Sequence, residues 1–218
     1  MRPDAEAGGG SPPPRLSIPE IRDYQRINAE LISLLDQGHR EVYLDGAEGQ
    51  RLLASGLRGG WRCLIEIEGA TGPELAADLD APGVTIMARG RAADGLARGV
   101  RSGTVVVLGG AGDGCGFGQS GGTVVVVGPS GHRAGLAQSG GTIAILGPIG
   151  RLPCDRQSGG RLFYRGDRPA SFAGRGRSGG RLIRVGGEDP VPEPDRAEWL
   201  RLLDLASLWG DVGRFRAP

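Results

Sequence analysis

Short apolar runs, each closed by a glycine, recur along the middle of the chain: RSGTVVVLG (101–109), QSGGTVVVVG (119–128), QSGGTIAILG (138–147), QSGGRLFYRG (157–166) and RSGGRLIRVG (177–186). The closing glycines Gly109, Gly128, Gly147, Gly166 and Gly186 stand 19, 19, 19 and 20 residues apart. EVYLDG, CLIEIEG and VTIMARG end on Gly46, Gly69 and Gly90 before them. Self-similarity at a fixed period is the mark of a repeat architecture. A period near nineteen holds one strand and a glycine-rich return but leaves no room for a crossover helix. The chain must therefore wind directly back, each strand about 4.8 Å from its predecessor, as in a β-solenoid of about eight rungs. Glycine at the strand ends, Gly90, Gly109, Gly128, Gly147, Gly166 and Gly186, is expected to supply left-handed backbone at structural corners.

Stacking the runs orients them. Four residues before the closing glycine stand Val42, Ile65, Ile86, Val105, Val124, Ile143, Leu162 and Leu182, an unbroken aliphatic column that must face the core. Two residues on, with the same facing, stand Leu44, Ile67, Ala88, Val107, Val126, Ile145, Tyr164 and Arg184. Each buried aliphatic side chain contributes roughly 1.5–3 kcal/mol, so these two columns can hold a solenoid together. The alternate positions face outward and carry charge at both ends of the ladder, as a solvated face should. In the middle rungs they do not: Val106, Leu108, Val125, Val127, Ala144, Leu146 and Phe163 make a contiguous apolar belt. A belt of that kind marks a partner interface. The competing reading is that the chain's own terminal helix covers it.

Two segments have helical spacing. Residues 17–38 pair Ser17 with Glu20 at capping-box distance, place Ile21, Tyr24, Ile27, Leu31 and Leu34 on one face and stop at Gly38. This helix is expected to cap the first rung, where a solenoid exposes unpaired backbone. Residues 1–16 before it read as disordered, and the ladder itself as 39–187. Residues 188–218 read as a Pro-rich acidic linker and an amphipathic helix over 195–209, with Asp195 as N-cap and Trp199, Leu202, Leu203, Ala206 and Trp209 on one face. Trp199 and Trp209 suit either a cap on the far end or an anchor set into another subunit.

Composition removes several functions. The 26 basic residues are all arginine and the formal net charge is +1, which gives no case for nucleic acid or an anionic membrane and leaves no lysine chemistry. Cys63, Cys115 and Cys154 are odd in number and unpaired in spacing, so they read as buried thiols of a reducing compartment. The first residues hold no apolar core for a signal peptide, and no run approaches the roughly 18 residues of a membrane span. The expected location is cytoplasmic.

Some motifs resemble catalytic ones. Gly118-Gln-Ser120-Gly-Gly122 fits a hydrolase nucleophile elbow, but a strand follows where a helix is needed, and the same turn recurs at Ser139 and Ser158. Gly116-x-Gly118-x-x-Gly121 fits a dinucleotide fingerprint and likewise lacks its helix. Gln119, Gln138 and Gln157 are expected to form an amide ladder, each bonding the next. His132 reads as a surface residue, and His39 as a cation beside a helix C-terminus. No catalytic or metal-binding set emerges.

The run Gly112-x-Gly114-x-Gly116-x-Gly118, flanked by SGGT-strand-Gly repeats, resembles the GXGXG domain. That domain ends the large subunit of glutamate synthase, and it forms one of the subunits of formylmethanofuran dehydrogenase and of the related formyltransferase/hydrolase complex. The resemblance covers roughly residues 25–187. Arg26-Ile27-Asn28 and LLDQGHREVYLDG look more like the stand-alone glutamate-synthase-type subunit. It implies an all-β fold, a right-handed parallel β-helix with flanking N- and C-terminal helices. It also implies a scaffold subunit that binds no cofactor and no small-molecule substrate itself. FMN or iron–sulfur groups would belong to partner subunits, here an amidotransferase and a flavin-dependent synthase.

Overall fold

The computed structural model describes residues 12–166, 170–186 and 190–209. Residues 1–11, 187–189 and 210–218, which hold most of the expected disordered segment, part of the linker and the end of the chain, lie outside the described residues. Nine strands stack in chain order into one parallel sheet: β1 (Arg15–Ser17), β2 (Glu41–Glu48), β3 (Arg62–Ala70), β4 (Gly83–Ala88), β5 (Thr104–Val107), β6 (Ser120–Val126), β7 (Ser139–Ile145), β8 (Gly159–Arg165) and β9 (Arg181–Val185). From β2 onward the strands pair in sequence order, in parallel and without intervening helices, a β-solenoid of about seven turns. Helices α1 (Ile18–Ile21), α2 (Tyr24–Asp36) and α3 (Glu193–Ser207) flank it.

The register is the one the aliphatic columns demand. Val42 pairs with Ile65, and the column passes through Ile86, Val105, Val124, Ile143 and Leu162 to Leu182 without a slip. All but Leu182, at the last rung, are buried. A one-residue slip would turn both inward columns to the outside, so burial fixes the register.

Opposite the sheet, each rung turns through a segment with positive φ at alternate residues, such as Gly95, Ala97 and Gly99, or Gly114, Gly116 and Gly118. Their amides alternate in direction. Gly114 and Gly118 donate to His132 and Leu136 on the next rung, while Gly116 donates to Leu96 on the previous one. The GXGXG run is therefore one rung of a backbone pattern that the neighbouring rungs build with other residues, Leu152, Cys154 and Arg156 among them.

Four of the closing glycines serve a different purpose from the one expected. Gly90, Gly109, Gly128 and Gly147 do not have positive φ. A Cβ on Gly109 would sit 2.6 Å from the carbonyl oxygen of Gly90, and one on Gly128 would sit 2.5 Å from that of Gly109. They are glycine because consecutive rungs touch there. The left-handed reading holds at the closing glycines Gly46, Gly69 and Gly186, with φ of 76°, 98° and 101°.

The N-terminal cap also departs from expectation. Arg15–Ser17 forms β1 on the outer edge of β2, with Ser17 opposite Asp45. Ser17 makes no side-chain cap bond, so the capping box with Glu20 does not form. The helix breaks at Arg22, whose φ is 61°, and restarts at Tyr24 with the Asp23 carboxylate accepting from the Gln25 amide. It ends in a Schellman motif, His39 N–H to Leu34 O and Gly38 N–H to Leu35 O. Ile27, Leu31 and Leu35 bury against the first rung. Asn28, from the Ile-Asn pair, clamps that rung's turn: its amide donates to Leu52 O at 2.8 Å and its oxygen accepts from Ala54 N–H at 2.9 Å.

Candidate functional site

The apolar belt and the helix that lies on it are the candidate site. Val106, Val125, Ala144, Leu146 and Phe163 are fully buried, Val127 nearly so, and Leu108 is half-buried. What covers them is α3: Trp199, Leu202, Leu203 and Ala206 pack into the same cluster, and Phe163 stacks on Trp199 with ring centroids 5.7 Å apart. This corrects the reading of the belt as an open partner interface. Its seven residues are apolar because the chain's own helix must bury there, the competing reading that the sequence left open. Trp199 is therefore no anchor into another subunit. Trp209, half-buried and just past the end of α3, lines an open groove of about 770 Å³ with Arg40, Arg62, Cys63, Leu64 and Thr85.

The docking follows from two repeats of nearly equal size. Three residues of α-helix rise about 4.5 Å, close to one strand spacing of about 4.8 Å, so a helix along the solenoid axis meets one rung every three residues. Asp195 meets Arg161 and Arg181, Glu198 meets Thr142, and Arg201 meets the hydroxyl of Thr123. Each step of three also turns the helix back by about 60°, so this polar row slides from the buried centre to the rim. The side chains of Asp195, Glu198 and Arg201 are 0%, 19% and 51% exposed in turn. The Glu198 carboxyl is held below its usual range, chiefly by its hydrogen bonds from Arg201.

Asp195 is not the N-cap expected of it. Pro192 occupies that position, and the Asp195 carboxylate, fully buried, turns into the ladder to Arg181 at 2.7 Å and Arg161 at 3.6 Å. Two guanidiniums are stronger partners than one backbone amide. The column holding them reads Thr85, Thr104, Thr123, Thr142, Arg161, Arg181. That switch from threonine to arginine is the sequence signal that would have located the helix start.

The residues with catalytic appearance are spent on the backbone. Ser120, Ser139 and Ser158 recur at the same corner of successive rungs, and among the described residues no hydrogen bond links their hydroxyls to a histidine or carboxylate. Burial pushes the Cys115 and Cys154 thiols up to about 12, and burial with the Glu41 charge pushes Cys63 up to about 11. Thiols so shifted are poor nucleophiles. His132 belongs to a rail that the sequence does not reveal. Asp94 accepts from Asp113 N–H, Asp113 from His132 N–H, and His132 Nδ1 from Arg151 N–H, each bond crossing one rung at 2.7–2.9 Å. Gly112, Gly131 and Gly150 leave the space these side chains fill.

Nor is the amide ladder the expected one. Gln157 donates to the Gln138 oxygen at 2.9 Å, but Gln138 and Gln119 donate to the corner carbonyls of Gly140 and Gly121. The register shifts between Ser120 and Thr123 and between Ser139 and Thr142. Those shifts free the carbonyls that the amides then satisfy.

No protein-family model matches the chain, and no curated protein matches it.

Among the described residues no group of three or more His, Cys, Asp or Glu side chains is placed to hold a metal, and no helix is long and apolar enough to cross a membrane. Chemically, the arrangement holds a helix rigidly along a rod and presents the rod's rim and ends.

Proposed function

We propose that this chain is a scaffold subunit of a multisubunit enzyme of glutamate-synthase type, bracing amidotransferase and flavin-dependent synthase subunits without supplying catalytic groups. One observation carries the reading: each residue set with catalytic appearance occupies a repeating backbone position. The glycine run Gly112–Gly118 is one rung of a turn found on its neighbours, and Ser120 has two stacked copies. A nucleophile or phosphate loop is needed once, whereas a turn is needed on every rung. The resemblance in Gly112–Gly118 and in Ile27-Asn28 supports the glutamate-synthase branch, and the clamp that Asn28 places on the first rung gives that pair a structural reason.

Affinity purification of the tagged full chain from its native cell is the test. The expected co-purifying subunits are a glutamine amidotransferase and a flavin-dependent synthase, encoded beside it. Formyltransferase and amidohydrolase-like subunits in their place would move the chain to the formylmethanofuran branch. A monodisperse monomer with esterase activity that Ser120→Ala abolishes would overturn the scaffold reading altogether.

A further inference from the structure

The two ends of the solenoid are finished differently. At the first rung β1 covers the edge of β2, and α2 roofs the core. At the last rung, among the described residues, no strand pairs with the outer edge of β9. Phe172, in the last turn, is 70% exposed, and Leu182 is only partly buried. An edge of this kind is a template for another strand.

Charge says which strand. Residues 156–186 contain eight arginines and a single acid, Asp167, while the whole chain nets +1, so the remainder carries a net charge of −6. Asp195 engages Arg161 and Arg181. Arg156, Arg175 and Arg177 are exposed, and Arg177 stands where the glutamine column would continue. Two last rungs that both carry this arginine excess repel each other, which removes β9-to-β9 pairing. A head-to-tail copy would bring the outer edge of β1, which is only three residues long and follows Pro12, Pro13 and Pro14, too little backbone to pair along β9. An acidic strand from a different protein meets neither obstacle.

We propose that β9, on the same last rung as Phe172, Arg175 and Arg177, is the docking edge of this chain and receives an extended acidic strand from a partner protein. The inference rests on the scaffold reading and names its contact surface. The apolar belt is already filled, and the last rung is where the ladder can be lengthened.

The test uses the full chain and two synthetic peptides, alternating Val-Glu and alternating Val-Lys heptamers, with amide hydrogen exchange over 181–185 and fluorescence anisotropy. The acidic peptide is expected to slow exchange at β9 about tenfold. Its affinity is expected to fall about tenfold in the Arg175→Glu/Arg177→Glu variant and again between low and physiological salt. Both substitutions are at exposed side chains, and circular dichroism verifies that the ladder persists. Equal binding of both peptides, or protection confined to the belt, would overturn the proposal. So would salt-sensitive dimerisation of the chain alone, which would make a second copy the occupant. A co-purified subunit that still binds the double variant would overturn the edge and leave the scaffold reading standing. Peptide protection at β9 with no co-purifying subunit would do the reverse.

Discussion

The early and late rungs of the solenoid fill the same interior by different chemistry. In the early rungs one inward column runs Leu57, Leu79, Val100 and its neighbour runs Leu53, Leu75, Leu96, all fully or almost fully buried. In the later rungs the first column becomes Gln119, Gln138, Gln157, equally buried, and the second shrinks to Cys115, Ala134 and Pro153. Two leucine-sized side chains are exchanged for one long amide and one small residue, which keeps the packed volume nearly constant. The exchange tracks the corners. Late corners carry two glycines and a register shift, and they leave carbonyls facing inward. Early corners, such as the one through Pro82, do not repeat that sequence. A buried carbonyl without a partner costs about 1–3 kcal/mol, so the glutamines are a consequence of the corner, not an independent ladder.

The largest effect is expected from moving late chemistry into an early rung. Leu79→Gln loses a buried aliphatic and places an amide beside Leu75, where the later rungs have the smaller Cys115, Ala134 and Pro153. About 4 kcal/mol of destabilisation is expected in chemical denaturation, from the lost transfer energy plus an unsatisfied amide. A cost under about 1 kcal/mol would mean that early corners also present carbonyls, and the comparison would collapse.

The reverse exchange should cost less. Gln138→Leu strands the corner carbonyl of Gly140 and the amide of Gln157, which donates to the Gln138 oxygen. About 3 kcal/mol is expected. Gln138→Leu/Gln157→Leu removes both members of that pair, so its cost should fall short of the sum of the single variants by about 0.5 kcal/mol or more. Strict additivity would show that the Gln157–Gln138 bond carries no coupling.

The sheet was legible in the sequence because period and alternation are properties of single columns. Val42 to Leu182 can be lined up by eye, and their pairing follows. What was not legible depends on two segments meeting in space. β1 is three residues long, too short for a periodic signal, and Asp195 looks like a helix cap until Arg161 and Arg181 are known to stand beneath it. The belt was found correctly, but exposure in a lone solenoid and cover by a helix 36 residues downstream of Phe163 have the same residue pattern. The glycines were half legible. A glycine needed for positive φ and one needed for close approach read alike, and only the backbone separates Gly116 from Gly128.

Gly116 tests that distinction at the junction of the two halves. The matching residue one rung earlier is Ala97, which holds φ of 56° with its methyl buried. At Gly116 a Cβ would lie 2.4 Å from Ile143 Cδ1 and 3.2 Å from the Gln119 oxygen, because the late-rung side chains already fill that space. Gly116→Ala is expected to cost about 2 kcal/mol, part from positive φ and part from overpacking. Pairing it with Ile143→Val should recover some of the loss; no recovery would assign the whole effect to the backbone.

The smallest effect is expected at the rim, where neither half's interior is involved. Arg133 opens the late-rung turn with φ of 59° and an exposed side chain, and the same position one rung earlier is Gly114. Glycine relieves the left-handed strain of roughly 1 kcal/mol but adds freedom to the unfolded chain, which returns part of that gain. Arg133→Gly should therefore raise stability by about 0.5 kcal/mol in urea unfolding, with the slope unchanged. A loss would mean that the Arg133 side chain does more than mark a turn, and that the rim and the interior of the late rungs are coupled after all.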